Sequence, residues 1–106
     1  MSTIKIVINK VHGGFNLSKE AQDYIVKAKN INPGKWSKLH GHYTNFSHFD
    51  LERDDPDLVA AVESLGTKAN TIFSSLKVVE IPNDVKWKIE EYDGVEWVAE
   101  VHRTWD

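Results

Sequence analysis

Apolar and polar residues alternate at the start of the chain. Ile4, Ile6 and Ile8 fall on one face and Lys5, Val7 and Asn9 on the other, which predicts a strand over Thr3–Val11. His12-Gly13-Gly14-Phe15 breaks this pattern. The apolar spacing then turns helical, with Ala21, Tyr24, Ile25 and Ala28 on one stripe. Ser18 is placed to cap this helix, and Asn32-Pro33-Gly34 to end it. From Lys35 to Asp54 the pattern dissolves: Trp36, Leu39, Tyr43, Phe46, Phe49 and Leu51 are scattered among His, Gly, Asn and Ser. The alternation from His42 to Phe49 permits a strand; a long ordered loop is the competing reading.

Asp54-Asp55-Pro56-Asp57 opens a second helix. Asp55 can cap, Pro56 suits the first helical position, and the acids favour the positive end of the helix dipole. Leu58, Val59, Val62 and Leu65 supply its apolar face, and Gly66 stops or kinks it. Lys68–Ser75 is expected to continue as a further helical stretch burying Ala69, Ile72 and Phe73, followed by a strand over Leu76–Pro82. Pro82-Asn83-Asp84 turns the chain into a hairpin from Val85 to His102 around Tyr92-Asp93-Gly94. Two registers compete there. A two-residue Asp93-Gly94 turn pairs Trp97 with Glu90 and scatters the apolar groups over both faces. A three-residue loop, with Gly94 left-handed, pairs Glu91 with Val95, Ile89 with Trp97 and Trp87 with Ala99. It gathers Trp87, Ile89, Val95, Trp97, Ala99 and Val101 on one face and sets Lys86 against Glu100 on the other. The second register is expected, because one residue of slip moves the hydrophobic set to the wrong side. The element order predicts a single α+β domain over residues 1–106. Its antiparallel-rich sheet carries a C-terminal hairpin, with two to three helices packed on one face.

Composition narrows the chemistry. There are no cysteines among the 106 residues, so disulfides, thiolate metal sites and a thiol nucleophile are excluded. No apolar run approaches the ~20 residues of a membrane span. Met1-Ser2-Thr3-Ile4-Lys5 leads directly into the strand pattern without a signal-peptide layout, so a cytoplasmic protein with no membrane partner is expected. Charge is unevenly spread: seven lysines face two acids up to Phe49, and 14 acids face six bases from Asp50 onward. Opposite halves can attract within the fold or across an oligomer; a basic surface for an anionic ligand is the sharper reading. The pI of about 5.9 disfavours duplex DNA as a partner.

Three constellations can carry chemistry. In His12-Gly13-Gly14-Phe15-Asn16 the glycines allow unusual backbone angles, and amides there can face a phosphate; the plainer reading is a tight strand-to-helix turn. In His40-Gly41-His42 the spacing sets two imidazoles on one face of a strand, which His48 or Asp50 can complete into a zinc or iron site; the plainer reading is polar loop histidines. In His102-Arg103-Thr104-Trp105-Asp106, Arg103 offers a fork for phosphate and Trp105 a stacking face for a base; the plainer reading pairs Arg103 with an acid and lays Trp105 over the core edge. No nucleophile elbow is present, and Glu90 and Glu91 point to opposite faces of a strand, so no catalytic residues and no cofactor are expected.

Four segments carry a resemblance: Arg53-Asp54-Asp55-Pro56-Asp57-Leu58-Val59, Leu76-Lys77-Val78-Val79-Glu80-Ile81-Pro82, Glu91-Tyr92-Asp93-Gly94-Val95-Glu96-Trp97-Val98 and His102-Arg103-Thr104-Trp105. Together with Ile6–Lys10 and Gly13-Gly14-Phe15 they resemble a family of small proteins widespread in tailed phages. The likeness leaves Ile31–Glu52 uncovered, so the histidine cluster inherits nothing from it. Such proteins resemble phage counter-defence factors, one class of which sequesters the nucleotide second messengers of Thoeris or CBASS systems at oligomer interfaces. The resemblance therefore implies a homo-oligomeric, non-enzymatic sponge for a cyclic nucleotide or cyclic ADP-ribose isomer. Chemistry suggests the roles: Arg53 and Arg103 neutralise phosphates, Gly13 and Gly14 with His12 beside them supply amides, and Phe15, Phe73 or Trp105 stack on a base. The alternative is an inhibitor or adaptor that binds a host protein through the acidic C-terminal half. A metal-dependent enzyme using His40, His42 and His48 is a third reading.

Overall fold

The computed structural model describes residues 3–71 and 74–101, the side chain of Phe49 excepted. Its elements follow the order β1 (Thr3–Asn9), α1 (Lys19–Lys29), β2 (Trp36–Ser37), β3 (His42–Tyr43), α2 (Pro56–Leu65), β4 (Leu76–Pro82), β5 (Trp87–Tyr92) and β6 (Val95–Glu100). This is an α+β fold. Its antiparallel strands form three two-stranded sheets, β1–β4, β2–β3 and β5–β6.

The helices form where local chemistry demands. Ser18 accepts a hydrogen bond from the Ala21 amide, and α1 ends at Asn30 in the left-handed conformation, with φ 57°. Asp55 accepts from the amides of Asp57 and Leu58, with Pro56 opening α2. Lys29 closes the same helix start from outside, 2.7 Å from Asp55 and 3.0 Å from Asp57. Leu58 and Ala61 of α2 are fully buried against Ala21 and Ile25 of α1 and Val7 of β1.

β1 and β4 pair in one register from Thr3↔Pro82 to Asn9↔Leu76. Alternation assigns their faces. Val7, Leu76 and Val78 join the helical core. Ile4 and Ile6 lie opposite Ile81 and Val79 on the other face. There Ile81 lines a groove with Trp87 and Val98 of the hairpin. The ribbon is thus covered by helices on one side and by β5–β6 on the other. The molecule measures 50 × 30 × 26 Å with a radius of gyration of 14.6 Å, above the about 13 Å of a compact chain this long.

Two expectations are corrected and a third is narrowed. Of the residues expected to be buried in the predicted helical stretch Lys68–Ser75, Ala69 is buried, and Ile72 and Phe73 lie outside the described residues. The stretch begins inside a 3-10 turn over Gly66–Ala69, but Asn70 is already extended. Ser18 is the cause: its amide donates to the Ala69 carbonyl and its hydroxyl to the Lys68 carbonyl, so these carbonyls serve α1 instead of another helical turn. The strand permitted over His42–Phe49 is confined to His42–Tyr43, paired with Trp36–Ser37, and the rest of Lys35–Asp54 is an ordered loop with a 3-10 turn at His48–Asp50. The hairpin takes the other register, pairing Tyr92 with Val95, Glu90 with Trp97 and Trp87 with Glu100. Asp93 and Gly94 have φ values of 50° and 88°, the pair of positive angles of a type I′ turn, whose twist matches that of the strands it joins. Val101 donates to the Lys86 carbonyl, and Glu100 stands opposite Trp87 instead of Lys86.

Candidate functional site

The polar centre of the molecule is the junction where the Gly13-Gly14 turn meets the tip of the hairpin. Gly13 and Gly14 adopt φ values of 124° and 98°, which side chains rarely tolerate. Their amides press on Gly94 so closely that a β-carbon there would lie 2.7 Å from each nitrogen. Asn9, fully buried at the end of β1, binds all sides of this contact. Its Nδ2 donates to the carbonyls of Val11 (2.6 Å) and Gly94 (2.7 Å), and its Oδ1 accepts from the Ser75 amide (2.9 Å). His12 Nδ1 lies 2.8 Å from the Asp93 carbonyl; a carbonyl only accepts, so this nitrogen carries the proton. Glu91 accepts from the Gly94 amide at 2.8 Å.

Beneath the junction lies an ion pair. Arg53 grips Glu96 through two parallel bonds of 2.6 and 2.8 Å and also donates to the Val7 carbonyl at 3.2 Å. Glu96 in turn accepts from the Asn9 amide at 2.8 Å. The guanidinium lies 3.8 Å above the ring of Phe15. His48 meets that ring edge-on, with centroids 5.9 Å apart. Burial pushes the His48 imidazole down to a pKa of about 4, with His42 and Arg53 adding positive charge nearby.

The structure divides the predicted site residues. It brings His12, Gly13 and Gly14 together with the hairpin tip, and Phe15 together with Arg53. Phe73, Arg103 and Trp105 lie outside the described residues. The open cleft at the glycines, about 350 Å³, is lined also by Glu91 and Asp93, carboxylates that repel a phosphate. Arg53 is already bound on both arms by Glu96, and Phe15 is only 6% exposed beneath it. The histidines separate as well: His40 stacks on His42 at 5.9 Å, His42 Nδ1 bonds the Tyr43 carbonyl, and His48 lies in the core. Among the described residues no three His, Asp or Glu side chains converge as metal ligands, so the His40, His42 and His48 site is not assembled.

Two features escaped the sequence reading. Glu96 is the buried member of β6, and an acid enclosed between the apolar Val95 and Trp97 was its available signal. The second follows from the first. With Glu96 held inward, its neighbours turn out, leaving Tyr92 75% and Trp97 42% exposed on the outer face. Val95 and Ala99 share this face by register, as do Lys88 and Glu90, which pair at 3.1 Å. Comparison with protein-family models, curated proteins and solved structures finds no match to this chain.

Proposed function

We propose that this chain is a binding module without catalytic chemistry of its own, and that it docks on another protein through the outer face of β5–β6. The observation that carries this reading is the orientation of the hairpin. A buried ion pair holds one face against the body and presents Tyr92 and Trp97 to solvent on the other. Tyr and Trp supply large contact area at little entropic cost and concentrate at binding hot spots. On that face Lys88 and Glu90 pair with each other at 3.1 Å, so the matching partner surface is chiefly apolar, with polar groups at its rim. This agrees with the inhibitor or adaptor reading. The nucleotide sponge has less support, because Arg53 and Phe15 are engaged with Glu96 and with each other.

Two measurements test the choice. A partner captured by the native protein should be lost with Tyr92→Ser/Trp97→Ser while melting stays within about 0.5 kcal/mol, as for other surface changes. Melting should also be unmoved by cyclic di- and trinucleotides and cyclic ADP-ribose isomers. A nucleotide at 100 times its Kd would add about 2.7 kcal/mol, and such a shift would restore the sponge.

A further inference from the structure

A second open surface lies on the far side of β1. In an antiparallel ribbon, successive residues direct their N–H and C=O groups alternately toward and away from the partner strand. Val7 shows the phase: its amide donates to the Arg53 carbonyl at 2.8 Å and its carbonyl accepts from the Arg53 side chain, both away from β4. Asn9 follows, its amide meeting Glu96. Lys5 has the same phase, yet its backbone N–H and C=O bond no described residue. The chain that satisfies Val7 turns away after Arg53 to cap α2 with Asp55, so no described residue covers the outer strand edge at Lys5.

Beside this edge runs a groove of about 350 Å³ between β1 and α2, walled by Ile4, Pro56, Val59 and Ala60. Its volume is at the small end of ligand sites, about 300–1,000 Å³, and suits one side chain with its backbone. The rim is acidic. Glu63 is neutralised by Lys5 at 2.9 Å, whereas the exposed carboxylate of Asp54 has no partner among the described residues.

We infer that the outer edge of β1 accepts an extended segment of another protein by strand addition at Lys5, seating one apolar side chain between β1 and α2 and a neighbouring Lys or Arg against Asp54. Backbone bonds to Lys5 supply register, the groove selects the apolar residue, and Asp54 selects the basic one. Arg53 already demonstrates the pairing one step along the same edge. The site is separate from the outer face of the hairpin, so it does not depend on that face being a docking surface.

The test is selection of a randomised linear heptapeptide library on the full chain, followed by affinity measurement of the enriched peptides. One apolar position beside a Lys or Arg should emerge. N-methylation of the peptide amide that faces Lys5 should weaken binding about tenfold, the worth of one backbone hydrogen bond. Ala60→Arg should abolish binding by filling the groove. Asp54→Asn, at an exposed position, should weaken it without disturbing the fold and decides the matter if Ala60→Arg does not fold. The inference is overturned if no peptide is enriched, if enriched peptides bind the Asp54→Asn variant undiminished, or if their binding is lost with Trp97→Ser instead.

Discussion

The two layers that flank the β1–β4 ribbon are attached by different forces. On the helical side Leu58, Ala61, Ala21 and Ile25 are fully buried and meet Val7 in a continuous apolar core. On the hairpin side Ile6 and Ile8 of β1 are buried as well, but the deepest group that β5–β6 itself contributes is a carboxylate: Glu96 is buried, Trp97 beside it is not. The first attachment is non-directional and scales with area. The second depends on a few aimed bonds among Asn9, Arg53, Glu96 and His12, and on backbone contact at Gly94. A layer held by aimed bonds can leave its aromatic face outside. A layer held by area cannot, because its aromatics would be the attachment.

The largest expected effect tests the helical side. Leu58→Ala should cost about 3–4 kcal/mol, read by denaturant unfolding, and should lower protection from amide exchange in α1, α2 and β1 together. Glu96→Ala should cost about 3 kcal/mol, because it leaves the Arg53 charge partly buried and unpaired. Here the loss should concentrate in β5 and β6, with exchange rising there while β1–β4 stays protected; a uniform loss would erase the contrast between the layers. Arg53→Met/Glu96→Leu should recover most of that stability, since packed apolar groups replace buried pairs at little cost.

Acid probes both layers at once, through the imidazole wedged behind Phe15. The pKa of His48 is about 4 in the fold against 6.5 for the free side chain. Between these values the unfolded chain binds the extra proton. Stability from this group is therefore complete above pH 6.5 and is lost as pH falls through 4, by about 2–3 kcal/mol. Asp55 acts in the same direction: burial raises its pKa, but Lys29 and the amides of Leu58 and Asp57 outweigh this and hold it below its usual value. A stability profile of His48→Leu should be flatter across that window than that of the native chain. The smallest effect is at the junction. Gly94→Ala places a methyl 2.7 Å from the Gly13 and Gly14 nitrogens at a φ of 88°, which should cost about 1–3 kcal/mol and loosen the hairpin tip before anything else.

Much of this architecture is written locally. Ser18 and Asp55-Pro56 announce their helices because capping is a matter of a few adjacent atoms. Leu76–Pro82 reads as a strand over the bounds it occupies. Of the candidate site, the Gly13-Gly14 turn was legible from its glycines. The errors lie where a distant group decides. Lys68–Ser75 has helical spacing, but Ser18 claims its carbonyls from 50 residues away. Counting apolar residues on one face of the hairpin favours a three-residue loop, and that count is blind to an arginine 43 positions upstream.

The sequence by itself therefore determined the capped starts of α1 and α2, the strands β1 and β4, the presence of the C-terminal hairpin, and that the fold is α+β, because caps, turns and periodicity act within a few residues. Only the tertiary structure decided which side of the hairpin faces the body. That choice is made by the Arg53–Glu96 pair and by Asn9, whose energies exist only once segments far apart in the chain have met.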